Sequence, residues 1–134
     1  MSVFASPRFL RNVLFADAAS CLATGAIQLG AIDAMSQLLN LPGALLAGTG
    51  WFLLAYAGTV AFIATRNPVP RVLVQLLVAG NAAWAIGCVA LLASGLAAPS
   101  TLGIAWIVAQ AITVAVLAEL QWFGLRARDS VGWA

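Results

Sequence analysis

Apolar residues run along this chain in four long stretches separated by short polar breaks. The first reaches from Phe9 to about Leu29, where Gly30 ends or bends it. The pattern then changes over Ala31 to Asn40. Ile32, Met35, Leu38 and Leu39 recur at helical spacing, and Asp33, Ser36 and Gln37 lie off that stripe. This predicts a short interfacial helix over 31–40, or a protruding end of the first span. Leu41-Pro42-Gly43 stops it, because proline disfavours helix in the residue before it. The second stretch is Ala44 to Thr65, the third Arg71 to Ser94, and the fourth Thr101 to about Leu125. Residues 126–134 are left as a short tail. Between the second and third stretches, Arg66-Asn67-Pro68-Val69-Pro70-Arg71 holds two prolines that cannot donate to a continuing helix. Gly95 to Pro99 forms the last turn, and Ser100 or Thr101 is a suitable N-cap.

The uncharged runs set the scale. Positions 72 to 118 carry no charge, which is roughly 70 Å of helix against a hydrocarbon core of ~30 Å. That run must hold two crossings and a turn. Positions 34 to 65 hold another, and residues 9 to 30 a fourth interrupted by one acid, Asp17. The expected fold is therefore an all-α integral membrane protein. It is one domain, 1–134, with spans at about 9–29, 44–65, 71–94 and 101–125. Short links make consecutive helices antiparallel neighbours in an up-down bundle of four transmembrane helices. Transmembrane strands would need about ten residues of alternating polarity, which the sequence lacks.

Composition agrees. The 134 residues are 63% hydrophobic and 7% charged, where a soluble domain carries about 25% charged residues. Six basic and four acidic side chains cannot solvate a globule of this size, and intrinsic disorder needs the opposite composition. All six basic residues are arginines, and they fall in pairs: Arg8 and Arg11, Arg66 and Arg71, Arg126 and Arg128. With four spans, all three pairs lie on one side. The positive-inside rule puts both termini in the cytoplasm of a bacterial-type inner membrane. Topology and anionic lipid account for these arginines better than nucleic acid does. The partners expected are the lipid bilayer and, beyond it, a second copy or another membrane protein. Arg8 and Arg11 before an apolar run imitate a signal peptide, and Ala18-Ala19-Ser20-Cys21 imitates a lipoprotein cleavage box. Asp17 spoils that run, so cleavage is not expected.

In lipid, helices associate through close packing at small residues. The clearest stripe is Ala79, Ala83, Gly87, Ala90 and Ser94 in the third span. Ala111, Ala115 and Ala118 form another in the fourth. Ala19–Ala23, Ala26–Gly30, Ala44–Gly48 and Ala57–Ala61 supply further pairs. Trp51 and Trp106 are expected toward the outer side and Trp122 near the inner interface, as an aromatic belt. Trp84 lies ~20 Å from Arg71 along a regular helix, inside the hydrocarbon. It is either a packed core residue or a wall of an apolar pocket.

Asp17 lies ~9 Å inward from Arg11 and Glu119 ~10 Å inward from Arg126. The first and fourth helices adjoin when the bundle closes, so the two acids are expected to share a depth and a site. Intramembrane acids usually face the interior and mark function. Asp17, Ser20, Cys21, Thr24 and Gln28 share one stripe, and Glu119 sits beside Ala115 and Ala118. Tyr56 and Asn81 are expected near the midplane. Gln110, Thr49, Thr59, Gln75 and Thr113 are the other polar groups at depth. The binding or proton-carrying candidates are Asp17, Glu119, Asn81, Tyr56, Trp84, Gln110 and Thr24. A desolvated carboxyl beside a second one holds a proton more readily, which would poise a cytoplasm-facing cleft for proton-coupled transport. The plainer alternative is that the acids pair with Arg11, Arg66, Arg71 or Arg126, or bond to hydroxyls, and fix the packing.

There is no histidine, and only Cys21 and Cys88 as thiols. Zinc, haem and iron–sulfur sites lack their usual ligands, and a Ser-His-Asp triad cannot be built. Gly48-Thr49-Gly50 lacks the lysine of a phosphate loop. No cofactor, metal or catalytic residue is expected. Four spans, a short chain and Asp17 in the first span give a layout that resembles the small multidrug-resistance exporters. The resemblance covers no continuous motif. That family's acid is a glutamate, and Gly80-Asn81-Ala82-Ala83-Trp84 departs from its third-span pattern. The expected function is a small non-enzymatic membrane protein that binds a membrane partner or a lipid-like apolar ligand within a helical bundle. The alternative is a proton-coupled small-molecule transporter using Asp17 and Glu119.

Overall fold

The computed structural model describes residues 6–131. Among them are five helices and no strand: α1 (Pro7–Gly30), α2 (Ile32–Leu39), α3 (Gly43–Ala64), α4 (Arg71–Ser94) and α5 (Thr101–Val131). Local chemistry sets their ends. Ser6 caps α1, its hydroxyl oxygen accepting from the Arg8 amide at 3.3 Å, with proline in the first turn. Asn40 (φ 52°) and Gly95 (φ 72°) take the left-handed conformation that closes α2 and α4. The short helix expected over 31–40 is therefore α2, separated from α1 by a break at Ala31.

Four of these helices are long and apolar enough to cross a membrane, with mean hydropathies of 1.4 to 2.0. Their outward faces carry Trp51, Leu76, Ile86 and Ile112, each 60% exposed or more. Such a surface suits hydrocarbon and marks a multi-pass membrane protein. The last helix departs from expectation. It does not stop near Leu125 but runs to Val131. Gln121, Leu125 and Arg128 are all buried, so the inward stripe of α5 continues past the apolar segment and keeps the chain helical. Only 132–134 of the expected tail fall outside the described residues.

The helices do not all pair in chain order. α1 packs along α3, and α4 along α5. Contact between α1 and α5 joins the two pairs, whereas α3 and α4 approach closely only in places. Glycine decides where backbones meet. A Cβ on Gly25 of α1 would stand 2.8 Å from the Gly50 carbonyl oxygen of α3. One on Gly124 of α5 would stand 3.1 Å from Leu10 of α1. The small-residue stripe expected to pack the third span does not do so: Ala79, Ala83, Gly87, Ala90 and Ser94 are all exposed. Ala19, Ala23, Ala26, Gly30, Ala44 and Gly48 are exposed too. α4 instead buries Val74, Leu77 and Asn81. Ala57 and Ala118 do lie in the core.

Both ends of the bundle are tied. At one, Arg11 donates to the Ala64 and Arg66 carbonyls (3.0 and 3.1 Å), capping the C-terminus of α3, and Arg128 donates to Val69. The arginine-bearing segments thus gather at one end. Leu10, Leu14, Val60, Val74 and Leu125 form a core beneath them. At the other end the Ser100 amide and hydroxyl donate to the Leu39 and Leu38 carbonyls (2.9 and 2.6 Å), and Asn40 donates to Ala98. Gly103 leaves room there for the Leu39 carbonyl. Leu39, Leu41, Leu46 and Ile107 make a second core.

Candidate functional site

The middle of the bundle holds the polar groups. Asp17 of α1 is wholly buried. Its Oδ2 accepts from Gln121 Nε2 of α5 at 2.7 Å and from Asn81 Nδ2 of α4 at 2.9 Å, and its Oδ1 from Cys21 Sγ at 3.5 Å. Asn81 Nδ2 also reaches Gln121 Oε1 at 3.3 Å. Tyr56 of α3 donates to the Leu77 carbonyl at 3.3 Å and to Asn81 Oδ1 at 3.5 Å. One polar knot therefore ties all four spans. Among the described residues every partner of Asp17 is neutral, so the expected pairing with an arginine does not occur. Amide and thiol groups alone meet its side-chain oxygens, in an interior where a polar group without a hydrogen bond is costly.

Glu119 is not part of this knot. It is exposed on α5, while Ala118 and Gln121 on either side of it are buried. One helical step of ~100° separates adjacent residues, and that step turns Glu119 off the inward stripe. The shared two-acid site is thereby corrected: Gln121 takes the place expected of Glu119. Its signal was in the sequence, since Gln121 lies three and four positions beyond Ala118 and Leu117 on one helical face.

A second polar contact lies nearer the arginine-free end. Gln28, 1% exposed, donates to the Leu46 carbonyl (3.0 Å) and Thr49 Oγ1 (2.9 Å), and accepts from Trp106 Nε1 (3.4 Å). Trp106 thus leans inward, whereas Trp51 and Trp122 are exposed, 66% and 42%. Trp106 is half-buried and lies toward the arginine-free end.

Between the tied ends α3 and α4 part, leaving a half-open cavity of about 570 Å³. Phe52, Leu53, Gly87, Cys88 and Leu91 line it, and Tyr56 and Asn81 bring the polar knot to its edge. Trp84 stands in its wall, the ring stacked on Phe52 with centroids 5.7 Å apart and planes 7° from parallel. A smaller cavity of about 150 Å³ lies between α1 and α5, lined by Ser20, Thr24, Gln110 and Thr113. Trp84 borders both, and its Nε1 donates to Gln110 Oε1 at 3.3 Å. The candidates thus fall into two groups. Asp17, Asn81 and Tyr56 meet in the knot, and Trp84, Gln110 and Thr24 meet around the small cavity. Among the described residues no cluster of three metal-ligating side chains occurs. Comparison with protein-family models, curated proteins and solved structures returns no match.

Proposed function

We propose that this is a non-enzymatic protein of a bacterial-type inner membrane that binds a lipid-like hydrocarbon chain in the cleft between α3 and α4. The carrying observation is that cleft. Its volume falls within the roughly 300–1,000 Å³ of small-molecule sites, and its walls are apolar with a few convergent polar groups. It is half open toward the surface that suits lipid, so an acyl or isoprenoid chain is the occupant whose chemistry matches. The gathered arginine segments support placing both termini in the cytoplasm.

Native mass measurement of the full chain released from mild detergent tests the reading. The wild type is expected to retain a lipid mass. Gly87→Leu, at a position where an added Cβ meets nothing within 4 Å, is expected to fill the cleft and lose that mass. A bare wild-type monomer overturns the proposal.

The buried Asp17 favours a second reading, proton-coupled transport, because an intramembrane acid with neutral partners can carry a proton. Glu119, on the outer face, has no part in that route. A proton-release signal that disappears in Asp17→Asn and persists in Glu119→Gln supports this reading; no such signal removes it.

A further inference from the structure

We infer that the large cleft and the small cavity are two halves of one site for an uncharged, single-chain amphiphile, its chain in the α3–α4 cleft and its hydrogen-bonding head between α1 and α5. This deepens the proposed chain-binding function and rests on it. The two spaces share four lining residues, Cys21, Leu53, Trp84 and Val114, and the indole of Trp84 stands between them. The Trp84–Gln110 hydrogen bond holds that indole at the boundary.

The smaller space has hydrogen-bonding capacity to offer. Ser20 and Thr113 spend their hydroxyls on the backbone, on Asp17 (3.0 Å) and Ala109 (2.7 Å). Among the described residues Thr24 Oγ1 and Gln110 Nε2 have no hydrogen-bond partner, and both residues line this cavity. Thr24 lies about 20 Å along α1 from Arg11, well inside a hydrocarbon core of ~30 Å. Polar groups at that depth demand partners, because lipid supplies none. Two donor-bearing residues lining one cavity suit a head that accepts: an ester carbonyl or a hydroxyl.

The lining also sets the charge. Among the described residues no Asp, Glu or Arg lines either space. Asp17, one turn from Ser20 and Cys21, is already occupied by Asn81 and Gln121. A carboxylate or ammonium head would be buried without a counter-ion, which is far costlier than burying a hydroxyl or ester. The ligand class is therefore a monoacylglycerol or a long-chain alcohol rather than a fatty acid or a cationic amphiphile.

The test uses the purified full chain in detergent and three probes of equal tail length: 1-oleoylglycerol, oleate and 1-octadecene, which has no head. Retention is read by native mass measurement. The 1-oleoylglycerol is expected to bind about tenfold more tightly than the other two. Thr24→Val and Gln110→Leu, on different helices, are each expected to erase most of that advantage and leave 1-octadecene unchanged. If oleate matches 1-oleoylglycerol, or neither substitution alters the preference while 1-octadecene still binds, the head site is wrong and the chain-binding cleft stands. If neither 1-octadecene nor 1-oleoylglycerol binds, the cleft reading falls, and this inference with it.

Discussion

Gln121 donates its side-chain amide to the Asp17 carboxylate across 2.7 Å, joining the first and last spans at a point no water reaches. Gln121→Leu removes one of the two amide donors on Oδ2. The expected cost is about 1–3 kcal/mol, because the carboxylate stays buried with its hydrogen bonding incomplete. Glu119→Gln, on the exposed face, is expected to stay within about 0.5 kcal/mol of wild type. Denaturation of the two variants in mixed micelles compares them directly. Equal losses would show that Glu119 shares the buried site.

Glycines divide by what surrounds them. Gly103→Ala places a methyl against the Leu39 carbonyl and Pro99, and Gly25→Ala places one against the Gly50 carbonyl. Each is expected to cost about 1–3 kcal/mol through overpacking. Gly87→Ala meets open space and is expected to be neutral, or stabilising by up to about 1 kcal/mol from helix propensity. Thermal melts of the three variants in one detergent check the order.

Gln28→Leu is expected to cost about 1–3 kcal/mol, because it strips the Trp106 indole of its partner and removes the side-chain bonds to the Leu46 carbonyl and Thr49. Trp106→Phe breaks only the 3.4 Å bond and is expected to cost less. Unfolding midpoints of the two variants give the ranking, and the reverse order would place the weight on the indole rather than on Gln28.

Orientation has its own measurement. With both native cysteines replaced by serine, Leu96→Cys, at a position 88% exposed in the α4–α5 turn, is expected to react with an impermeant maleimide on intact cells. Arg66→Cys, at the opposite end, is expected to react only after permeabilisation. Labelling of position 66 from outside would invert the topology drawn from the arginines.

The spans were legible because long apolar runs, proline breaks and arginine pairs each act over a dozen residues or more. Side-chain direction was less so. Asp17 and Glu119 looked alike by depth, and only the rotational phase of α5, set by Gly124 against Leu10 and by buried Leu117, separates them. The small-residue stripe of α4 misled for a related reason. Alanine occurs 29 times, so such stripes arise on several faces, and the close approach was fixed instead by single glycines, Gly25 and Gly50. Gln28 was visible on the Asp17 stripe and Gln121 was passed over, because a glutamine announces no partner until three-dimensional packing supplies one. The gap between α3 and α4 left no local signature at all, being a property of which helices choose each other.

That gap is latched above and below. At one end the six-residue Thr65–Pro70 link joins α3 directly to α4, and Arg11 of α1 holds the start of that link. At the other, Asn40 and Ser100 strap the α4–α5 turn to the chain just ahead of α3. Tied at both ends, the pair is least held at the waist, where Gly80 and Gly87 offer no bulk. On the proposed function, an occupant would enter sideways from among the lipid tails and leave by the same flank.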